Sequence, residues 1–272
     1  MVGYLKKKNV LMSRRSLNNY QKKYKFIPIS RIEKFLHSKV KYALGNSKAV
    51  ISQLEKEGVM KHKLKLIYNG VLKNNKTRLS KSTDFSILNK YSNSKSIIFS
   101  VIANLIPYKN HKMVIKAAHL LLKEYKNFKI IFVGSGDIVY ERSLRILIEE
   151  YNLKNHIHFF KQSLNIEDFY KISDIGISSS DEEGFSNSIL EFLSFGIPVI
   201  ATRVGGNLDV INNKNGFLID KNDHHKLFNI MKYLIINKKI IKKLGAQALK
   251  DSKKYDFNKM IQNYTELYES IS

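Results

Sequence analysis

From Ser96 onward the sequence predicts an α/β fold: a doubly wound parallel sheet, a Rossmann-like domain with helices on both faces. Three observations carry this. Short runs rich in Ile, Val and Phe alternate with amphipathic stretches of helical period, the pattern of a parallel sheet covered on both sides. Glycine-bearing or polar turns separate these runs from the helices that follow. The chain has 272 residues, enough for one large domain or two small ones with ample core.

The first 95 residues read differently. Residues 1–60 carry fourteen Lys and Arg against three acids, Glu33, Glu55 and Glu57. Helical patterning fits Arg31–Leu44 and Lys48–Glu57, and a strand fits Lys65–Tyr68, closed by the turn Asn69-Gly70. With so few strands, residues 1–72 are expected to form only part of a second, N-terminal lobe. Residues 73–95, rich in Lys, Asn and Ser, are expected to be an exposed linker. Strands are then expected at Ile97–Ala103, Lys129–Val133, His156–Phe160, Asp174–Ser178, Pro198–Thr202 and Gly216–Ile219. Helices are expected near Lys112–Glu124, Val139–Tyr151, Ile166–Lys171, Ser186–Phe195, Asn207–Ile211 and His224–Ile236, and the whole of Lys238–Ser272 reads as helical. Residues 96–254 thus form the Rossmann-like domain. Residues 255–272 follow as a last helix whose stripe of Tyr255, Phe257, Met260, Ile261, Tyr264 and Tyr268 needs something to pack on.

Forty-seven Lys and Arg against 23 Asp and Glu give a net charge of +24. The basic residues are mostly scattered lysines, with no zinc-finger spacing, Arg-rich arm or aromatic-basic strand, so no nucleic-acid partner is expected. An anionic membrane face is the better electrostatic partner. No apolar run approaches the ~18 residues of a membrane span, and the start of the chain lacks a secretory core and cleavage site. With no cysteine there is no disulfide framework or thiolate metal site. Together these point to the cytoplasm, at the inner face of the membrane. The eight histidines show no metal-ligand spacing, and no Walker-type loop, Gly-x-Ser-x-Gly or Asp-x-Asp pair is present.

Ligands of doubly wound sheets bind beyond the carboxyl ends of the strands, where four loops fall: 104–109, 134–136, 178–184 and 202–206. The most telling run is Ser180-Asp-Glu-Glu183-Gly184-Phe185-Ser186-Asn187-Ser188-Ile-Leu-Glu191. A carboxylate precedes Gly-Phe and three small polar residues, and a second carboxylate sits about one turn into an apolar helix that stops at Gly196 before Pro198. The unpaired N–H groups at that helix start, with its dipole, attract phosphate. Glu191, flanked by Leu190, Phe192 and Leu193, needs a polar partner. Lys109 would reach over the first strand's edge as a point charge for phosphate. Gly134 and Gly136 would let the backbone approach a ligand or serve only a tight turn, and both readings stand. Asp209 is expected to complement its own helix's N-terminal dipole. The pattern suits a nucleotide sugar.

These motifs, with Ile67-Tyr-Asn-Gly-Val71, Gly205-Gly206 and Asn215-Gly216, resemble the donor-binding half of retaining family-4 glycosyltransferases of the GT-B type, from about Leu66 to Ser272. The resemblance implies catalytic roles for Glu183 at the transferred sugar and Lys109 on the donor diphosphate. It also implies ribose binding by Glu191 and sugar and phosphate contacts from backbone groups at Gly184, Phe185, Ser186 and Asn187, with Asn104, Gly134 and Gly136 completing the donor site. Asn104 stands where an arginine is usual. The implied donor is UDP- or GDP-linked, no metal or other cofactor is needed, and the acceptor is a cell-surface polysaccharide, a lipopolysaccharide or another lipid-linked glycan. Only the last part of the N-terminal lobe is recognisable, in Ser13-Arg-Arg-Ser-Leu17 and Gly45-Asn-Ser47. The alternative is therefore a truncated or split-gene fragment that binds donor without catalysis. Donor identity is expected to depend on the loops 160–163 and 178–181.

Overall fold

The structure, a computed structural model, describes residues 9–17, 29–72, 91, 95–161 and 165–271. It opens with a parallel sheet of three strands, β1 (Leu11–Arg14), β2 (Tyr42–Gly45) and β3 (Leu64–Leu66), in that order. Helix α1 (Ile29–Ser38) precedes β2, and α2 (Lys48–Lys56) follows it. Val40, Ala43, Val50, Leu54 and Val59 make a small core beneath them.

Two expectations change here. The helix predicted over Arg31–Leu44 stops at Ser38, and its end, Tyr42–Leu44, belongs to β2, in register between Leu11–Arg14 and Leu64–Leu66. A four-residue apolar run has no decisive periodicity, so pairing partners far along the chain settle its state. β1 has no counterpart in the sequence reading, for the same reason. Helix α2 lies where expected because Ser47 caps it, its hydroxyl accepting the Val50 N–H. The expected linker over residues 73–95 lies outside the described residues apart from Tyr91 and Lys95.

The second sheet has six parallel strands. They are β4 (Ile97–Ile102), β5 (Phe128–Val133), β6 (Ile157–Phe160), β7 (Ile175–Ser178), β8 (Val199–Thr202) and β9 (Gly216–Ile219), each within a residue or two of its predicted span. The helices between and after them are α3 (His111–Leu122), α4 (Ile138–Glu150), α5 (Ile166–Ile172), α6 (Asn187–Ser194), α7 (Asn207–Val210), α8 (His224–Ile236), α9 (Lys238–Ser252) and α10 (Phe257–Glu269). The spatial order β6-β5-β4-β7-β8-β9 reverses direction between β4 and β7, and this reversal is the switch point of a doubly wound fold. All of β4, β7 and β8 is buried, as expected of central strands with helices on both faces. One face packs Phe99, Phe132 and Ile130 against α3, α4 and α8. The other packs Ile131 and Val199 against α5 and α6.

The single helix expected over Lys238–Ser272 divides. α9 ends at Ser252, Tyr255 turns into the core, and Asp256 caps α10 by accepting the N–H groups of Asn258 and Lys259. The junction is held to the chain after β3: Val71 N–H donates to the Tyr255 carbonyl at 2.8 Å, and Phe257 N–H to the Val71 carbonyl at 3.2 Å. Tyr68, Phe185 and Tyr255 form an aromatic trio at this joint. Beyond it α10 lays Met260, Tyr264 and Leu267 against Leu44 and Ile67 of the N-terminal unit, so part of the expected stripe finds its partner there, while Ile261 and Tyr268 stay exposed.

Candidate functional site

Chain reversal between β4 and β7 leaves a crevice at their carboxyl ends, and a cavity of about 360 Å³ lies in it. The loop after β4 supplies Ala103, Asn104 and Lys109, and the turn after β5 supplies Gly134. From beyond β7 come Glu183, Phe185, Ser186, Asn187, Ser188 and Glu191. Eight of the ten site residues expected from sequence therefore line one cavity, and Gly136 and Gly184 do not. Gly136 bridges to Leu105, whose carbonyl would stand 2.4 Å from a Cβ at this position, so it serves the turn. Gly184 is pressed by the loop after β1, where the Arg15 carbonyl would meet a Cβ at 2.2 Å. Gly134 combines both roles, lining the cavity while passing so close to Ala103 that a Cβ would lie 2.1 Å from that carbonyl oxygen.

Lys109 and Glu183 hold each other. Nζ donates to Oε1 at 2.5 Å, and the Ser180 hydroxyl donates to the same oxygen at 2.8 Å. Both charged side chains are largely covered, 17% and 10% exposed, which favours a matched pair over two separate charges. Lys109 sits on a one-turn 3-10 segment (Pro107–Lys109) before Asn110, a left-handed residue at φ 52° whose side chain caps α3. The Asn110 amide donates to Asp181 at 3.0 Å, and the Lys109 carbonyl accepts the Ser179 hydroxyl at 2.7 Å, so the loops after β4 and β7 are tied together.

The start of α6 faces the same space. Its cap residue Ser186 makes no side-chain bond to the helix N–H groups, and Leu190 N–H reaches the Ser186 carbonyl only at 3.5 Å. Asn187 is held from the N-terminal side, its Oδ1 accepting the Asn69 amide at 2.7 Å. Donors of a helix start left uncapped are suited to an anion.

Glu191 carries the partner that its apolar surroundings demand. Its Oε2 accepts the hydroxyl of Tyr170, which is 1% exposed. Burial raises the Glu191 pKa above the ordinary carboxylate value, and the Tyr170 bond pulls part of that back. Burial first, then the Glu191 charge, pushes the phenol well above its usual value. Sequence reading passed over Tyr170 and Ser180, because neither has a spacing that marks it and both act through contacts across the fold. Ile166, Ile102 and Val133 complete the lining. Of the loops expected to set donor identity, Gln162 and Ser163 lie outside the described residues. Asp209 lies in the first turn of α7, and its Oδ2 also accepts the Lys48 N–H at the start of α2 at 2.7 Å. Among the described residues no group of three or more His, Cys, Asp or Glu could hold a metal ion, and no helix is long and apolar enough to cross a membrane.

Comparison with known proteins agrees with this architecture. An uncharacterized glycosyltransferase of Methanocaldococcus jannaschii is 33% identical over 131 residues, 46% of this chain and 37% of that protein. The trehalose synthase of Pyrococcus horikoshii is 28% identical over 141 residues, 50% of this chain and 33% of that one. The matched region is thus about a third of the length of these curated relatives. Among solved structures, Anabaena HepE in complex with UDP superposes with a TM-score of 0.86 at 20% identity, covering 98% of this chain and 74% of its own. A glycosyltransferase from Rickettsia africae gives 0.81 at 25% identity, covering 99% and 73%. These likenesses are of the α/β fold, that of the GT-B glycosyltransferases. Residues 80–251 match the family described as glycosyl transferases group 1, and the chain belongs to that family.

Proposed function

We propose that the chain moves a hexose or amino-hexose from a UDP- or GDP-linked donor to a cell-surface polysaccharide, lipopolysaccharide or other lipid-linked acceptor, with retention, in the manner of family-4 enzymes. The observation that carries this is the convergence of Lys109, Glu183, the uncapped start of α6 and Glu191 on one cavity at the switch point. A diphosphate laid across Lys109 and the α6 N–H groups meets a cation and a dipole end. Glu183, released from Lys109, then accepts hydroxyls of the sugar, while Glu191 accepts those of the ribose.

As the bond from the anomeric carbon to the diphosphate oxygen breaks, negative charge grows on the leaving phosphate, where Lys109 and the helix start stabilise it. The acceptor hydroxyl attacks from the same face and its proton passes to the departing phosphate oxygen, which preserves the anomeric configuration. The charge is met by protein groups, so no metal is required. Structures of HepE with UDP and UDP-glucose support the donor class.

Titration of the chain with UDP and GDP, followed by incubation with labelled nucleotide sugars and a membrane extract, tests the proposal. Binding that EDTA leaves unchanged, together with labelled glycan, is expected. Lys109→Ala should lower transfer by about 10²–10³, the scale of losing one charge-stabilising group. Absence of nucleotide binding sinks the reading. A second reading, donor binding without independent transfer, draws on the N-terminal unit, which contributes three strands among the described residues; binding without labelled glycan is its signature.

A further inference from the structure

Glu191 stands between two cavities. One is the donor cavity. The other, of about 310 Å³, lies towards the joint of the two sheets and is lined by Glu167, Tyr170, Leu190, Phe195 and Phe257. The two share Ile166, Asn187 and Glu191. Tyr170 lines only the second and reaches Glu191 from there, engaging Oε2. Oε1 has no protein donor among the described residues.

We infer that Tyr170 is a positioning residue for nucleotide recognition, holding the Glu191 carboxylate so that its remaining acceptor capacity meets the ribose hydroxyls of the donor. This rests on the donor-site reading proposed above. The tyrosine ring has no freedom to do otherwise. It stacks on Phe195 at 5.1 Å and 17° and meets Phe192 edge-on at 4.9 Å, and both of those rings belong to the helix or cap that carries Glu191. A carboxylate on a glutamate has three rotatable bonds to immobilise before it can accept a diol in fixed geometry. The buried phenol removes that freedom in advance and supplies a donor that a buried carboxylate otherwise lacks. The hydroxyl also favours the ionised acid, the form with acceptor capacity on both oxygens. The other charged groups facing Glu191 are Glu167 across the second cavity and Lys109 and Glu183 across the first.

Calorimetric titration separates this role from a structural one. UDP and GDP are compared with their 2′,3′-dideoxy forms on the unaltered chain, Tyr170→Phe and Glu191→Gln. Tyr170→Phe is expected to weaken binding of the ribonucleotide roughly three- to tenfold and to leave the dideoxy form unchanged. It should also move the acid limb of the ribonucleotide's affinity to higher pH, a shift that Glu191→Gln abolishes. Equal losses on both nucleotides would mean that the tyrosine only packs, and no loss on either would mean that its hydroxyl is idle; each overturns the inference while the donor site stands. Failure of the unaltered chain to bind either nucleotide overturns the inference and the donor site together.

Discussion

Glu191 carries a stability cost that its proposed role at the ribose would account for. Its pKa is raised by burial, so the folded state holds its proton more tightly than the unfolded chain. The stability tied to that proton is complete below the unfolded pKa and is lost as pH rises through the folded one. At neutral pH the charged acid is therefore a cost, and Glu191→Gln is expected to raise Tm at pH 7–8 with little change at pH 4. Calorimetric scans at the two pH values check this; a lower Tm at neutral pH would mean that the Tyr170 bond outweighs desolvation. The same position should matter in the opposite sense for ligand. Glu191→Ala should weaken nucleotide binding by about 1.5–3 kcal/mol if its hydrogen bonds are charge-assisted, and unchanged affinity would show that it does not meet the ribose.

At the scale of elements, the site depends on strand ends that nearly touch. Gly134 lets β5 end against the carbonyl of Ala103 at the end of β4, and a methyl group there must push two central strands apart. Gly134→Ala is expected to cost about 1–3 kcal/mol, or roughly 2–4 °C of Tm per kcal/mol, and to weaken UDP binding with it. A variant of unchanged Tm would show that the turn yields. The long βα units were legible in sequence because apolar strands such as Ile97–Ile102 and capped helices such as α4, with Asp137 at its start, each carry their own signal. Of the N-terminal strands, β3 overlaps the expected Lys65–Tyr68, whereas β1 and β2 were not legible, since Tyr42–Gly45 is a strand only by virtue of Leu11–Arg14 and Leu64–Leu66 beside it. The same division holds for the site. Glu183, Lys109 and Glu191 stood out by motif and apolar context, whereas Ser180 and Tyr170 act through hydrogen bonds that only the folded chain creates.

Across the whole molecule, the N-terminal unit and the large sheet are joined by small polar contacts as well as by α10. Asp209 accepts the α2 N–H of Lys48, and Asn69 reaches Asn187. Asp209 also helps burial to push the Tyr68 phenol up to about 12. The N-terminal unit exposes an apolar face on α1, where Ile32 and Phe35 are both 55% exposed and Lys39 lies over the Phe35 ring at 5.2 Å. Basic side chains beside apolar ones suit an anionic lipid surface. Cosedimentation with vesicles containing an anionic lipid is expected for the unaltered chain, and an Ile32→Ser, Phe35→Ser double variant should lose most of it. Equal binding to neutral vesicles would remove the electrostatic argument.

The pairing of Lys109 with Glu183 has a consequence for how donor affinity responds to ions. In most basic sites the lysine's counterion is a mobile anion from solution, and binding a phosphate sets it free, so affinity falls steeply with added salt. Here the counterion is part of the chain and cannot be diluted away. At the proposed donor site, a diphosphate arriving at Lys109 would exchange places with a carboxylate that then turns to other partners, and nothing need leave for the bulk. Nucleotide affinity is accordingly expected to vary only shallowly between 50 and 300 mM NaCl (an illustrative range about the physiological ionic strength), despite a net charge of +24. Glu183→Gln should restore the steeper dependence of an ordinary cationic site.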